Sequence, residues 1–528
     1  MIQSRSENHS PMKITRRTLF GSALAAFEPP SSANLIARWK VNRGAHMEVP
    51  DRPSLRFGTG EFSASLWLNA DPDPDDQPGG ILSKYDPAAR RGFLLSLATN
   101  RVNTAQANLR NLHFGIDNAR AEAEWQDCGR PGKAALVFAL CVHDGALYAA
   151  TCEPGAGESG HVYRYAGGSE WVDCGAPDGS NSVPALASFD GALYAGTARY
   201  NTQGSALPAS PNETPGGRVF RYEGGQRWVD CGKLGASAAV YSLVSYRGRL
   251  HGSSMYAPAG TFRYEGGQTW KPCGTPGGKR ANGLTVYRGD LYGGSFDGAY
   301  VWKYQGDSEW ASAGEMSGNT QTYGFATYRG SLHVGTWPSG KVYRQAPGGA
   351  WLDCGRLGAE KEVMGMLVYN GQFYAGTLPL AQVYRYEADQ KWTLMTRLDM
   401  TPDVTYRRVW SMAVFGGRLY CGTLPSGHVY SWEAGKNATC DHALGRGWHH
   451  VAAIRAKDRL KLYVDGRLAS TSSEFRAADY DLSNTQPLLI GSGMEDSFRG
   501  ELCDVRLYKG ALSERDIADL AAKRECGD

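Results

Sequence analysis

The sequence predicts an all-β protein in which a seven-bladed β-propeller is inserted into a split antiparallel β-sandwich. Three observations carry this prediction: a Tyr and Trp repeat, an unpaired Trp at its front, and alternating strands on both flanks. The repeat ties each Trp to a Tyr six residues earlier, at Tyr165/Trp171, Tyr222/Trp228, Tyr264/Trp270, Tyr304/Trp310 and Tyr386/Trp392, with Gln345 before Trp351 in a further unit. A period of about forty residues, rich in glycine, aromatic residues and short alternating runs, marks four-stranded blades around an axis.

Each unit reads as two hairpins. In the third, residues 240–245 alternate as an inner strand, Tyr246-Arg247-Gly248 turns it, and residues 249–253 return. A loop over 255–260 leads to residues 261–264, and Glu265-Gly266-Gly267 turns into an outer strand at 269–273, with the glycines suited to a tight hairpin turn. Outer strands fall at Trp125, Trp171, Trp228, Trp270, Trp310, Trp351 and Trp392. Inner strands begin near Leu136, Val183, Val240, Gly283, Tyr323, Val363 and Val409. The series opens on an outer strand and closes on a third strand, so the strand at Trp125 completes the blade formed within residues 408–432. Such a mixed blade closes the ring and protects its edges, and it brings Ala123 close to Thr439.

The flanks read as two halves of one other domain. Ahead of the ring, residues 47–50, 55–68, 81–84 and 112–115 alternate as strands; behind it, residues 447–452, 460–466, 488–491 and 498–508 do the same. The stretches WHHVA, LYVDG and IGSG and the closing run to Tyr508 resemble, in this order, a laminin-G-like, concanavalin A-like jelly roll. Neither half alone covers both faces of a sandwich. A ring closed by its own first strand has adjacent ends, which is what insertion at a hairpin tip requires. The expected divisions are an export signal over 1–30, the first jelly-roll half over 31–122, the propeller over 123–438 and the second half over 439–528.

The Tyr and Trp spacing resembles the kelch or galactose-oxidase type of propeller, although Gly-Thr stands at Gly196-Thr197, Gly335-Thr336 and Gly376-Thr377 where a double glycine is usual. The copper ligands and crosslinked Cys of that oxidase have no counterpart here. Residues 13–27, with Arg16 and Arg17 ahead of an apolar stretch and Ala23-Leu24-Ala25, resemble a twin-arginine export signal. That implies a bacterial protein exported to the periplasm or beyond.

Of the 528 residues, 56 are basic and 53 acidic, and no basic run stands out in the folded region, so nucleic acid is not an expected partner. No apolar run of ~20 residues suggests a membrane span, and a monomer is expected. Of the 11 cysteines, Cys128, Cys174, Cys231, Cys273 and Cys354 share one repeat position and read as small buried residues. Cys503 with Cys526, and Cys141 with Cys421, are the two candidate disulfides. No cofactor is expected: Asp71, Asp73, Asp75 and Asp76 offer the oxygen ligands that calcium takes, but Pro72 and Pro74 fit a solvated turn better. His251 and His333 replace a Tyr found at Tyr148, Tyr194, Tyr292, Tyr374 and Tyr420 and read as core residues; His161 and His428 start third strands near the loop-bearing face, and His449 and His450 belong to a strand.

Function is expected where the repeat breaks. The longest loops, over 152–160, 198–217 and 255–260, share one face around the axis. The ligand candidates there are Arg199, Tyr200, Asn201, Tyr256, Arg280, Asn282, Tyr323, Trp337, Arg408 and Trp410. Aromatic rings beside Arg and Asn suit sugars, whose C–H faces stack while their hydroxyls take hydrogen bonds. The expected function is therefore binding of a polysaccharide or glycan, by the propeller face, the jelly roll or both. A polysaccharide lyase is the alternative, with Tyr323 or Tyr406 abstracting a proton beside a uronate carboxylate held by Arg408 or Arg280; a protein-interaction scaffold is the other.

Overall fold

Phe62, Ala64, Leu66, Leu68 and Ala70 occupy alternate positions of one strand, Phe62–Ala70, and all five are buried between two sheets. The computed structural model describes residues 33–41, 46–71, 76–119 and 123–526. The predicted export segment and Asp73 and Asp75 lie outside the described residues. One sheet runs Asn34–Trp39, Gly500–Lys509, Phe62–Ala70, Trp448–Arg455, Leu460–Val464, Arg467–Thr471; the other runs Met47–Val49, Leu488–Ile490, Gly79–Asp86, Arg91–Ala98, Asn111–Asn118, Lys436–Cys440. Both are antiparallel, and both take strands from the two ends of the chain. Phe93 and Phe114 meet Phe62 across the gap at ring distances of 4.7 and 6.1 Å. Each such buried ring contributes about 1.5–3 kcal/mol.

Between these strands lies an all-β, propeller-like array. Its innermost strands are Leu136–His143, Ser182–Phe189, Val240–Tyr246, Ala281–Tyr287, Gln321–Tyr328, Glu362–Tyr369 and Arg408–Phe415. Each packs on the next, and the last packs on the first. Antiparallel strands extend outward from each, and Gln126–Asp127 pairs with Val429–Trp432.

The repeated aromatic pair laces this array. In Tyr264/Trp270 the rings lie 5.0 Å apart, Tyr264 Oη donates to the Gly267 carbonyl at 2.9 Å, and Trp270 Nε1 donates to the Cys231 carbonyl of the preceding sheet at 2.8 Å. The same indole bond links Trp171 to Cys128, Trp228 to Cys174, Trp310 to Cys273, Trp351 to Ala313 and Trp392 to Cys354. The five repeat cysteines are thus buried residues whose carbonyls receive the next indole. His251 and His333 are buried at the Tyr position, and burial lowers both to about 4.

Cys503 is bonded to Cys526, which ties the end of the chain to the strand Gly500–Lys509. Cys141 and Cys421 are not bonded, contrary to the second expected pair. Cys421 packs beside Val137 and Leu140 on one side of the strand Leu136–His143, whereas Cys141 turns to the other side with Ala139 and Leu186, because successive strand residues face opposite ways. Asp76 of the acidic stretch is spent on Arg499, at 2.9 Å, and on the Gly289 amide. Among the described residues no cluster of three metal-ligating side chains occurs, and no helix is long and apolar enough to cross a membrane.

A short hairpin, Arg101–Val102 with Ala105–Gln106, leaves the sandwich and enters the bore of the array. Residues 99–108 are all buried. Thr104 Oγ1 donates to the Phe138 carbonyl at 3.1 Å, Val142 N to the Ala107 carbonyl at 2.8 Å, and Tyr241 Oη to Asn103 Oδ1 at 3.1 Å. Gly283 lacks a side chain where the hairpin passes: a Cβ there would lie 2.7 Å from the Asn103 carbonyl oxygen.

Candidate functional site

Above the hairpin a cavity of about 310 Å³ opens on the array's loop-bearing face. Two kinds of position build it. Innermost strands contribute their first residues, Gln321, Glu362 and Arg408; the segments after the second strands contribute Tyr200, Asn201, Met255, Tyr256 and Phe296. In an antiparallel hairpin the start of one strand faces the end of its partner, as Gln321 faces Trp337, so both sets reach one rim.

Each innermost strand also carries an irregularity in its pairing with the second strand, between Val137/Ala139, Ser182/Ala185, Val240/Ser242, Ala281/Leu284, Thr322/Phe325, Val363/Met366 and Val409/Ser411. Bulges bend a strand and re-aim a side chain. Here the residues they contain, Phe138, Tyr241, Tyr323, Met364 and Trp410, converge in one buried cluster under the cavity. Phe138 meets Trp410 and Tyr200 edge to face at 5.1 and 4.9 Å. With the hairpin tip beneath Tyr241, the bore is closed and the cavity is blind.

The charged residues lining it are Glu362 and Arg408, both buried. Arg408 Nε lies 3.6 Å from Glu362 Oε1, an ion pair too long for a hydrogen bond. Arg408 Nη1 donates to Ser205 Oγ at 2.5 Å, and Ser205 is also bonded to Tyr200. The guanidinium lies 5.4 Å from the Trp410 ring and 5.7 Å from the Tyr406 ring. Burial raises the Glu362 carboxyl above its ordinary range, with Arg408 and Tyr323 opposing. Burial works against the Arg408 charge, and the facing Glu362 carboxylate opposes that effect, so that the guanidinium is shifted up on balance. Glu362 Oε1, Arg408 Nε and Trp410 Nε1 are buried without a hydrogen-bond partner, a condition that buried polar atoms usually avoid.

Of the sequence candidates, Tyr200, Asn201, Tyr256, Tyr323, Trp337, Arg408 and Trp410 line the cavity, as does Tyr406. Arg199, Arg280 and Asn282 do not. Arg199 faces Glu213 at 3.3 Å with half its side chain exposed. Arg280 is clamped by Asp297 at 2.5 and 2.9 Å, and Asn282 turns its amide to the Thr322 carbonyl at 2.7 Å. His161 and His428 bond Asp173 and Asp127 away from the cavity. Tyr323 is poorly suited to act as a base, because burial raises its phenol well above the ordinary value. Glu362 was missed: in the run Ala359-Glu360-Lys361-Glu362 it resembles a solvated loop, and only its place at the start of an inner strand marks it.

Residues 388–518 match the family model described as the concanavalin A-like lectin/glucanases superfamily. No curated protein matches the sequence. Solved structures similar to the chain include virginiamycin B lyase from Staphylococcus aureus, at 8% identity over 59% of this chain and 99% of that chain with a TM-score of 0.48. The WD40 β-propeller domain of Doa1 is another, at 13% identity over 59% and 97% of the two chains with a TM-score of 0.41.

Proposed function

We propose that this chain is an exported glycan-binding protein whose ligand face is the cavity of the propeller. The observation that carries this reading is the cavity itself, in which Tyr200, Tyr256, Tyr323, Trp337 and Trp410 surround one buried donor and acceptor pair. Ring faces for stacking beside a few placed polar groups are what a sugar site needs. The match of residues 388–518 to the lectin and glucanase superfamily points to the same ligand class. The architecture that goes with it is a kelch-type ring of seven blades, inserted into a jelly roll between Asp117 and His442. The pairing of Asn111–Asn118 with Lys436–Cys440 on either side of the ring supports that arrangement. A polysaccharide partner, a monomeric state and twin-arginine export complete the reading.

The lyase alternative has less support, since Arg280 is committed to Asp297 and the Tyr323 phenol is shifted away from a base. Retarded migration of the purified chain in gels cast with polysaccharide tests the binding reading; unretarded migration across neutral and acidic polymers removes it. New ultraviolet absorbance with uronate polymers, from the conjugated double bond that elimination creates, would instead establish the lyase.

A further inference from the structure

We propose that the cavity takes the uncharged terminal unit of a glycan, entering end-on; this rests on the carbohydrate reading above. Three features of the site lead to it.

The first is shape. Phe138, Tyr241 and the hairpin tip at Asn103 close the bore beneath the cavity, so a polymer has no way through. Its volume of about 310 Å³ lies at the low end of small-ligand pockets, which run from about 300 to 1,000 Å³. A chain end fits such a pit, whereas an internal stretch needs a groove open at both ends.

The second is charge. Glu362 and Arg408 face each other at 3.6 Å and cancel, while Arg280 and Arg199 stand outside the cavity with their own carboxylate partners. A uronate or sulfate entering would lose its water and meet no uncompensated cation, and burying a charge without a partner is costly. A neutral sugar faces no such penalty.

The third is the set of unmet hydrogen bonds. As the carboxylate paired with Arg408, Glu362 Oε1 only accepts, while Arg408 Nε and Trp410 Nε1 only donate, and none of the three has a hydrogen-bond partner. A sugar hydroxyl both donates and accepts, so a hydroxyl pair satisfies acceptor and donors together. A carboxylate can serve only the donors and would confront the Glu362 oxygen.

The test is calorimetric titration of the full chain with a ladder of neutral oligosaccharides, from monosaccharide to hexasaccharide, beside uronate oligosaccharides of matched length. The expected result is neutral binding tighter by roughly tenfold or more, about 1.4 kcal/mol, with affinity that stops rising by the trisaccharide and is lost when the recognised chain end is capped. Uronates binding as tightly, or affinity that climbs through the hexasaccharide, overturns the end-on neutral site and leaves the carbohydrate reading standing. Absence of binding by both ladders removes both. Glu362→Gln, which leaves Arg408 uncompensated, should shift the preference towards uronates by roughly tenfold, and an unchanged preference counts against the proposal. The ladder on the unaltered chain decides the matter even where Glu362→Gln fails to fold.

Discussion

Trp270 and Trp410 are both buried indoles on strands of the same array, yet they serve different ends. Trp270 spends its Nε1 on the Cys231 carbonyl and so fastens one sheet to the preceding one. Trp410 has no partner for its Nε1 and lies in the wall of the cavity. The lacing indoles are satisfied by carbonyls of the neighbouring sheet; on the axis the Tyr241 and Tyr323 hydroxyls are bonded, to Asn103 and Gln321, but the Trp410 indole is not. An unsatisfied buried donor is costly to the folded state, and at Trp410 that donor lies in a cavity wall, where an entering group can reach it.

Mutations can break this contrast. Trp270→Ala should have the largest effect, lowering stability by about 3–5 kcal/mol, the usual cost of deleting a large core ring, as read from urea unfolding. Loss of under ~1 kcal/mol there would show that the lacing is dispensable. Gly283→Ala comes next: its Cβ would crowd the Asn103 carbonyl oxygen, and overpacking of this kind costs about 1–3 kcal/mol. Because that oxygen belongs to the hairpin beneath the cavity, stability and glycan affinity should fall together; a loss of one without the other would separate the floor from the site.

A pH-dependent effect concerns the lacing region. His251 and His333 have folded pKa values of about 4 against an ordinary 6.5, because burial disfavours the imidazolium. The unfolded chain therefore binds protons first on acidification, and stability falls as pH drops from about 6.5 to about 4. Replacing both by Tyr, the residue at this position in the other sheets, should flatten that acid limb in thermal melts. An unaltered limb would assign it to other groups. The smallest stability change is expected for Trp337→Ala at the half-buried rim, within about 0.5 kcal/mol, while glycan affinity drops by roughly tenfold. If Trp337→Ala unfolds the chain as readily as Trp270→Ala, the division between lacing and binding aromatics fails.

The all-β character was legible because its signal is periodic: the Tyr and Trp spacing recurs in five copies, a sixth with Gln345 in place of the Tyr still keeps the indole bond of Trp351, and alternate residues of strands such as Phe62–Ala70 are apolar. The cavity was half legible. Residues such as Tyr256 and Trp337 stand out because they break the repeat. Asn282 misled because a side chain's position on the rim does not say which way it turns, and this one turns to the Thr322 carbonyl. Two things were hidden. The irregularity at Tyr241 interrupts period-two alternation, so a residue that seems to face a neighbouring sheet joins the axial cluster instead. The hairpin at Arg101–Gln106 carries Arg, Asn, Thr and Gln beside only Val102 and Ala105, and such polar residues read as a solvated loop; they are buried because a bore formed by distant strands encloses them.

That hairpin acts as an axle. Asn108 bonds the carbonyl of Val414, 306 residues later in the chain, and Asn103 bonds Tyr241, 138 residues later. A growing chain makes the axle before any spoke of the wheel that surrounds it, and contacts this distant in sequence are slow to form. The wheel has to be assembled around a piece already present, and the sandwich that anchors the axle is finished only after the wheel is.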